Sequence, residues 1–231
     1  MIPRASFVIP AYNGQKYLND AVQSCLQQRI KQVEVIVVND GSTDGTAELL
    51  NWLAQSDRRV IPVHLEKNVG RSAARNIGNQ KAQAPFIFVL DADDMCTKNR
   101  VRDSLDLLET KRADVVWGPF FIVNEIGAVL QRVGAGPFNK EIAVRRRLNY
   151  ICHSTMAYRK EVAQTVPYDQ GVYSELGFDD WKFQWDCYLK GYTMEHGTVP
   201  LCYYRKTEGT ISSTRDEKKV AEVKERFLAA V

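Results

Sequence analysis

The sequence predicts an α/β protein with a mostly parallel central sheet, on two observations: continuous apolar segments typical of covered strands, and helical spacing of the apolar residues between them. Over about the first 118 residues, short continuous apolar segments alternate with segments whose apolar residues recur at helical spacing. This alternation is typical of repeated β-α-β units, in which a helix connects each strand to the next parallel one. After Trp117, Gly118 and Pro119 the alternation loosens, and residues 120–123 are expected to form a short strand of an antiparallel extension.

Four apolar runs, at residues 6–10, 33–38, 60–64 and 86–90, are the predicted strands of the first half. The second run reads Val-Glu-Val-Ile-Val-Val, so Glu34 is its one polar residue. Consecutive apolar side chains suit a strand that is covered on both faces. We therefore expect helices on both sides of this sheet.

The predicted helices are recognised by apolar residues three and four positions apart, which share one face of a helix. In the first half these residues are Leu18, Val22, Cys25 and Leu26; Ala47, Leu50, Leu53 and Ala54; Ala73, Ala74 and Ile77; and Val101, Leu105 and Leu108. In the second half they are Trp181, Trp185, Tyr188 and Leu189, with Gly191 as the expected C-cap. A last amphipathic stretch carries Val220, Val223, Phe227 and Leu228.

The composition is that of a soluble globular protein, with 45% apolar and 26% charged residues. The net charge of +3 is small. The one dense basic cluster, Arg145-Arg146-Arg147, fits a solvated helix face better than a phosphate clamp. We therefore expect no nucleic-acid partner.

The cysteine pattern favours a reducing compartment. Five cysteines lack Cys-x-x-Cys spacing, and the N-terminal residues show no secretory pattern, so free thiols are expected. No apolar run reaches the roughly 18 residues of a transmembrane helix. We expect a cytoplasmic protein, and peripheral association with the inner face of the membrane stays open.

Polar segments follow each predicted strand of the first half. They are Pro10-Ala11-Tyr12-Asn13-Gly14, Asn39-Asp40-Gly41-Ser42-Thr43-Asp44-Gly45, His64-Leu65-Glu66-Lys67-Asn68-Val69-Gly70-Arg71 and Asp91-Ala92-Asp93-Asp94. Ligands of an open parallel sheet bind at the carboxyl ends of the strands. We therefore expect these acids, amides and one aromatic ring to meet at a single edge.

Two of these segments also have a structural interpretation. Ser42 or Thr43 can cap the next helix, which leaves Asp40 available for a ligand. The three carboxylates within residues 91–94 repel one another unless a cation or a basic group is near. They suit either a hard divalent cation on a diphosphate or the capping of the following helix, and this segment alone leaves both open.

Taken in order, the four segments resemble those of glycosyltransferase family 2, whose members have the GT-A fold. The matching stretches are residues 10–13, Val-Val-Asn-Asp-Gly-Ser-Thr-Asp at 37–44, Asn-Val-Gly-Arg-Ser-Ala-Ala-Arg-Asn at 68–76 and Val-Leu-Asp-Ala-Asp-Asp at 89–94. The resemblance is close over about residues 4–118 and weaker to about residue 212. It implies one GT-A domain over residues 1–231, with a nucleotide-sugar-binding half at 1–118 and an acceptor-binding half with a C-terminal helix at 119–231.

The resemblance also implies roles for residues at matching positions. Pro10, Ala11 and Tyr12 are expected to flank the nucleobase, and Asp40 to accept a hydrogen bond from its ring N–H. Asp93 is the expected direct ligand of Mn²⁺ or Mg²⁺, which can stabilise the charge on a leaving diphosphate. The remaining nucleotide-sugar-binding residues that it implies are Asn68, Arg71, Arg75, Asp91 and Ala92.

An acidic pair in the second half, in Phe178-Asp179-Asp180-Trp181, resembles the second signature of the family. Asp179 stands where Glu is more usual. Asp180 matches the general base that takes the proton of the acceptor hydroxyl. The alternative is that Asp180 only caps the helix expected to begin at Trp181.

One position departs from the family pattern. Members often carry Tyr-Arg-x-His with a metal-binding His, but residues 204–207 of this chain read Tyr-Arg-Lys-Thr. With Thr207 there, either metal binding depends mainly on Asp93 and the diphosphate, or the closing loop at residues 206–214 is arranged differently. His153, on the expected acceptor side, is interpreted as a packed residue more readily than as an acceptor contact.

The sequence thus predicts a metal-dependent, inverting glycosyltransferase. It would move a sugar from a UDP-sugar donor to a hydroxyl of a carbohydrate or glycolipid, in the synthesis of a surface polysaccharide or glycoconjugate. The rival hypothesis is a non-catalytic nucleotide-sugar-binding module of a larger complex, which the loss of the late His suggests. No motif specifies the sugar, the linkage or the oligomeric state.

Overall fold

The computed structural model of the chain describes residues 2–141, 151–207 and 221. Its main sheet contains seven strands, namely β1 (Ala5–Ala11), β2 (Val33–Asn39), β3 (Val60–His64), β4 (Phe86–Val89), β6 (Val115–Trp117), β9 (Ala157–Arg159) and β10 (Met194–His196). Their spatial order is β10-β6-β9-β4-β1-β2-β3. β9 is antiparallel to β4 and β6, and the other pairs in this sheet are parallel. The mostly parallel sheet is therefore confirmed, and the four strands predicted for the first half lie within one residue of their expected ends.

The helices cover both faces of this sheet. They are α1 (Leu18–Leu26), α2 (Thr46–Ser56), α3 (Arg71–Lys81), α4 (Arg100–Leu105, continued by a π-helical turn at Asp106–Thr110), α5 (Lys160–Thr165), α6 (Val172–Glu175) and α7 (Asp179–Leu189). Phe7 and Ile9 of β1 pack with residues of α1, α2 and α4, whereas Val8 packs with residues of α3, α5 and α7. Side chains alternate between the faces of a strand, so two covered faces require the continuous apolar runs seen in the sequence.

Helix α3 differs from its prediction in the residues that it buries. Its buried residues include Ser72, Arg75 and Asn79, while Ala73 is half-buried. The spacing of these polar residues is helical, but each has a partner far along the chain, in residues 158–179. An apolar pattern could not identify this face because it is held by hydrogen bonds and ion pairs.

A second sheet of four strands lies beyond the first 90 residues. Its strands are β5 (Met95–Cys96), β7 (Phe120–Val123), β8 (Val129–Val133) and β11 (Cys202–Arg205), in the order β5-β11-β7-β8. The predicted strand at 120–123 is confirmed and pairs antiparallel with β8, but it also pairs parallel with β11. This sheet brings the end of the described chain next to β5, which follows the Asp91–Asp94 segment.

The expectations for the C-terminal helix, for the Arg145-Arg146-Arg147 cluster and for most of the closing loop fall on residues outside the described part of the chain. Gly191, with φ of +76°, follows the end of α7, as expected of a C-cap glycine. Within the described residues, no helix combines the length and the apolar character that crossing a membrane requires.

Candidate active site

The first and second loops at the carboxyl edge of the main sheet are joined by hydrogen bonds. The first loop (residues 12–17) contains Asn13, whose backbone N–H donates to Ser42 Oγ at 3.0 Å and whose Oδ1 accepts from the Thr43 N–H at 2.8 Å. Asn13 has φ of +51°, a conformation that asparagine tolerates better than most residues. Ser42 and Thr43 therefore hold the first loop instead of capping α2. At the N-terminus of α2, the Thr46 N–H donates a hydrogen bond to Asp44 Oδ1 at 3.0 Å.

Asp40 connects the second loop (residues 40–45) to the third (residues 65–70). Its carboxylate is buried and accepts from the Val69 N–H at 2.7 Å and from the Gly70 N–H at 3.0 Å. The two loops touch so closely at Gly41 that a Cβ there would lie 2.4 Å from the Lys67 carbonyl carbon. Asp40 thus organises the third loop, and its expected contact with a nucleobase stays a prediction.

The fourth loop (residues 90–94) lies beside the first. A Cβ added to Gly14 would be 3.7 Å from the Cβ of Ala92, which is ordinary contact distance. The Asp91 N–H donates to Ser154 Oγ at 3.1 Å, so the segment before β9 supports this loop from the other side. Helix α4 begins only at Arg100, after β5, with Asn99 at its N-cap. The interpretation of residues 91–94 as a capping cluster is therefore wrong.

The carboxylates of the fourth loop are crowded. Burial and the neighbouring Asp91 carboxylate raise the pKa of Asp93 to about 6. Burial, with Asp93 and Asp91 close by, raises the pKa of Asp94 well above its usual range. A positive charge among these groups would favour their ionised forms.

Arg205 of β11 holds the main chain of the fourth loop (residues 90–94), which we call the acidic loop. Its Nε donates to the Asp93 carbonyl oxygen at 2.9 Å, and its backbone N–H donates to Asp94 Oδ1 at 2.8 Å. Its side chain is 2% exposed and also reaches Asp20 Oδ2 at 3.2 Å. In the sequence, Arg205 was identified only as part of the Tyr-Arg-Lys-Thr segment, because its partners lie about 80 to 185 residues away.

A second group of charged residues links α3, α7 and the fourth loop. Asp179 is fully buried, and its Oδ1 accepts from Arg71 Nε at 2.8 Å while its Oδ2 accepts from Arg75 Nη1 at 2.5 Å. The other terminal nitrogen of Arg75 donates to Asp91 Oδ1 at 2.6 Å. Burial works against charge on Asp179, but Arg75 and Arg71 outweigh it and lower the pKa of this carboxyl. Likewise, burial disfavours charge on Arg75, yet Asp91 and Asp179 raise its pKa.

Asp180 lies half-buried in the first turn of α7, next to Asp179. The helix begins at Asp179 and not at Trp181, and no side chain caps it. Asp180 Oδ1 accepts from the N–H of the adjacent Trp181 at 2.7 Å, which is a local contact and not an N-cap bond to a residue two or three positions on. The helix-capping alternative for Asp180 is therefore wrong, while its role as a general base stays a prediction.

The other expected pocket residues differ in how much surface they present. Tyr12 is 51% exposed, whereas the side chain of Ala11 is buried. Pro10 is half-buried, and Asn68 is exposed with its Oδ1 accepting from the Gly70 N–H at 3.1 Å. Tyr12 and Asn68 are thus the two with most side-chain surface for a ligand.

His153 is packed inside the protein, as its preferred interpretation predicted. It is 5% exposed, its Nε2 lies 2.9 Å from the Tyr168 hydroxyl oxygen, and its ring meets those of Tyr168 and Phe183 edge to face. Burial and the nearby Arg75 charge lower the pKa of His153 well below its usual value. The residue is therefore a neutral structural histidine and presents almost no surface to an acceptor.

The donor set of the acidic loop fits a hard divalent cation. Carboxylate oxygens are the ligands that Mg²⁺ and Mn²⁺ prefer. Burial and the Asp91 charge disfavour the ionised form of Asp93, and a bound cation would stabilise that form. Among the described residues no three His, Cys, Asp or Glu side chains are arranged to hold a metal by themselves. A site of this kind uses one or two carboxylates and completes its coordination with substrate phosphates and water.

Comparison with known proteins agrees with this fold. A family model described as "Glycosyl transferase family 2" matches residues 6–166, which is more than half of the chain. Glycosyltransferase GlyG of Streptococcus pneumoniae is 28% identical over 223 residues, covering 90% of this chain and 73% of that protein. The putative teichuronic acid biosynthesis glycosyltransferase TuaG of Bacillus subtilis is 27% identical over 215 residues, covering 92% of this chain and 83% of that protein. An uncharacterised glycosyltransferase of Haemophilus influenzae is 38% identical over 107 residues, but these are 46% of this chain and 43% of the relative.

Two solved structures share the fold. Residues 1–349 of S. aureus TarS, in complex with UDP-GlcNAc, superpose with a TM-score of 0.71 at 23% identity and cover 92% of this chain and 61% of that one. The mannosyltransferase PcManGT of Pyrobaculum calidifontis, in complex with GDP-Man and Mn²⁺, gives a TM-score of 0.71 at 14% identity and covers 92% and 60%. The chain therefore spans about three fifths of these solved chains and less than half of the Haemophilus relative. From the family match over residues 6–166 and the GT-A fold that these structures share, we conclude that the chain belongs to glycosyltransferase family 2.

Proposed function

We propose that this protein is an inverting glycosyltransferase that transfers a sugar from a UDP-sugar to a hydroxyl group of a carbohydrate or glycolipid. The observation that carries the proposal is the short connection between two acidic segments: Arg75 joins Asp91 of the acidic loop to Asp179, whose neighbour is Asp180. A nucleotide-binding edge and a candidate base thereby lie on either side of one guanidinium group. TarS, crystallised with UDP-GlcNAc, supports a UDP-sugar donor, and the name of TuaG supports a role in polysaccharide synthesis.

The chemistry proposed for the chain's own residues is a single displacement. Asp180 takes the proton of the acceptor hydroxyl as that oxygen bonds to the anomeric carbon. The bond from that carbon to the diphosphate oxygen breaks, and its electron pair leaves with UDP. Because the acceptor enters opposite the leaving group, the anomeric configuration inverts.

The metal ion enters this proposal as a cofactor held by Asp93. When bound, a divalent cation would neutralise charge on the diphosphate. Arg205 would keep Asp93 in place through its bond to the Asp93 carbonyl oxygen. The solved complex of PcManGT with Mn²⁺ supports the use of a divalent metal on this fold, and either Mn²⁺ or Mg²⁺ is compatible with carboxylate ligands.

The test is a donor screen that measures release of the nucleoside diphosphate, with candidate glycan acceptors, in the presence of Mn²⁺ or of EDTA. We expect turnover with a UDP-sugar and its loss in EDTA. Asp180→Asn is expected to lower kcat by about 10²- to 10⁴-fold, as loss of a general base does, with UDP affinity retained. Asp186→Asn is the matched control, because Asp186 lies on the same helix but pairs with Lys182. Full turnover by Asp180→Asn would remove Asp180 from the mechanism, and turnover in EDTA would remove the metal.

The rival function is that of a nucleotide-sugar-binding module without catalytic activity. Thr207, in the place of the expected metal-binding His, is the observation that favours it. Calorimetry with UDP and Mn²⁺ detects binding under both hypotheses. A chain that binds UDP tightly but releases none from any donor, with or without acceptor, would support the module.

A further inference from the structure

Arg75 occupies a position that the family resemblance assigns to the nucleotide pocket, but its surroundings suit a different role. The side chain is 3% exposed. Nη1 donates to Asp179 and Nη2 to Asp91, while Nε is buried and makes no hydrogen bond within the described residues. Its nitrogens are thus paired or enclosed by protein. They offer little to the diphosphate of a bound nucleotide.

Asp179 is the partner that fixes this guanidinium. It is fully buried and uses both oxygens, one for Arg71 and one for Arg75, which lie one turn apart on the same face of α3. The guanidinium carbon of Arg75 also lies 5.4 Å from the centroid of the Tyr168 ring. Held at one terminal nitrogen, the planar guanidinium can direct the other at Asp91 only in a narrow range of orientations.

The group as a whole is balanced in charge, with two arginines and two aspartates. The four side chains follow one another in the order Arg71, Asp179, Arg75 and Asp91; the two outer ones are partly exposed, Arg71 at 30% and Asp91 at 33%, and the two inner ones are buried. Asp91 belongs to the acidic loop, and Asp179 is the residue before Asp180. A movement of the acidic loop relative to α7 would break a charged hydrogen bond of Arg75, whose side chain is 3% exposed and therefore poorly accessible to water.

We propose that Arg75 and Asp179 are positioning residues that set the distance between the acidic loop and Asp180. In this role, which rests on the function proposed above, Asp179 clamps Arg75, and Arg75 holds Asp91. Neither residue contacts the donor or the acceptor. Their contribution is to keep the proton acceptor aligned with the donor that the acidic loop binds.

The first test separates positioning from donor contact. Arg75→Lys keeps the positive charge but cannot form two directed bonds to two carboxylates, whereas lysine is a good phosphate ligand. We expect kcat to fall by about 10- to 10²-fold, as small misalignments cause, and the UDP dissociation constant to change by less than about 3-fold. A UDP affinity weakened about 10-fold with unchanged kcat would make Arg75 a donor contact and overturn the proposal. Unchanged kcat and affinity would show a merely structural ion pair and overturn it as well.

Asp179 variants supply the conservative comparison. Asp179→Asn is expected to lower kcat as Arg75→Lys does, and the double variant to be no worse than about 3-fold below the poorer single variant, because both break one link. Asp179→Glu keeps the charge and is expected to retain kcat within about 3-fold of wild type. The kcat of this variant can be measured even if Asp179→Asn does not fold. Losses that multiply in the double variant, or an inactive but folded Glu variant, would contradict a shared link. Arg59→Lys, in the ion pair with Asp57 before β3, is the control for loss of an arginine away from the site.

Hydrogen exchange tests the link without any turnover, so it stays informative if the wild-type chain transfers no sugar. The reporters are the Asp94 amide, which bonds to the Asp91 carbonyl, and the Lys182 amide, which bonds to the Phe178 carbonyl. Arg75→Lys is expected to speed hydrogen exchange at both amides. The control variant Arg59→Lys is expected to leave exchange at both unchanged. Faster exchange at one reporter alone would show that the two segments are held separately and would overturn the proposal. An inactive wild type in which both reporters respond would instead reject the proposed function and keep the link.

Discussion

The aspartates of this chain show that a residue's role depends on its partners more than on its type. Asp40 accepts from two backbone amides and orders a loop. Asp179 is held by two arginines and has a lowered pKa, whereas Asp93 has no such clamp and its pKa is raised to about 6. An added cation would therefore stabilise the ionised form of Asp93 more strongly than that of Asp40 or Asp179.

His153 allows a prediction at the same scale. Its folded-state pKa is depressed, so below pH about 6.5 the unfolded chain takes up a proton that the folded chain does not. The stability that this residue contributes is complete above that pH and is lost as the pH falls toward the folded-state pKa, by at most about 1.4 kcal/mol per pH unit. Urea unfolding of wild type and His153→Gln between pH 8 and 5 is the measurement. We expect a shallower decline in the variant.

The control for this prediction is His196→Gln on strand β10. It leaves His153 in place and is therefore expected to keep the wild-type decline. Parallel curves for wild type and His153→Gln would show that His153 takes up its proton equally in both states, contrary to its burial.

At the scale of single elements, α3 approaches the sheet closely at a glycine. A Cβ on Gly78 would lie 2.4 Å from Val8 Cγ1 and 3.4 Å from Val38 Cγ2, and both valines are buried. Valine is stiff about χ1, so Val8 cannot turn away easily. The helix can therefore approach β1 and β2 this closely only because this position lacks a side chain.

Gly78→Ala is accordingly expected to destabilise the protein. Alanine favours a helix over glycine by about 1 kcal/mol, but overpacking a filled core costs about 1–3 kcal/mol and should dominate at a 2.4 Å contact. Chemical denaturation measures the change. Gly134→Ala is the control, since nothing lies within 4 Å of a Cβ there. Adding Val8→Ala to Gly78→Ala should cost less than the sum of the two single changes, and strict additivity would contradict the steric explanation.

At the scale of the whole molecule, the two sheets meet at the acidic loop, and Arg205 connects them. It lies on β11 of the second sheet and bonds to the carbonyls of Asp93 and Glu125 and to the carboxylate of Asp20. The candidate metal ligand is thus held by an element from the end of the described chain. We therefore expect the shape of the acidic loop to depend on the second sheet.

Arg205→Met tests this dependence. It keeps much of the apolar stem but leaves the half-buried Asp93 carbonyl without its Nε donor, and loss of a hydrogen bond from a charged group costs about 1.5–3 kcal/mol. We expect the free energy of unfolding to fall by about that amount. Lys206→Met changes the exposed neighbouring residue and should stay within about 0.5 kcal/mol of wild type. Equal stability of the two variants would show that the junction does not depend on Arg205.

The sequence by itself determined the local elements and their order. The strands at 6–10, 33–38, 60–64 and 86–90, the helices between them and the polar segments after them follow from the spacing of neighbouring residues, which reports the local backbone. The order of those segments was also sufficient to indicate the family, as the match over residues 6–166 confirms.

Only the tertiary structure decided which residues hold one another. The bond from Asp40 to the third loop spans about 30 residues, and those from Arg75 to Asp179 and from Arg205 to the acidic loop span 104 and 112. Periodicity carries no information at such separations, because these contacts depend on how whole elements pack. The same packing decided that residues 91–94 cap no helix and that α7 begins at Asp179, since a helix starts where its first backbone bonds form and not where an apolar pattern begins.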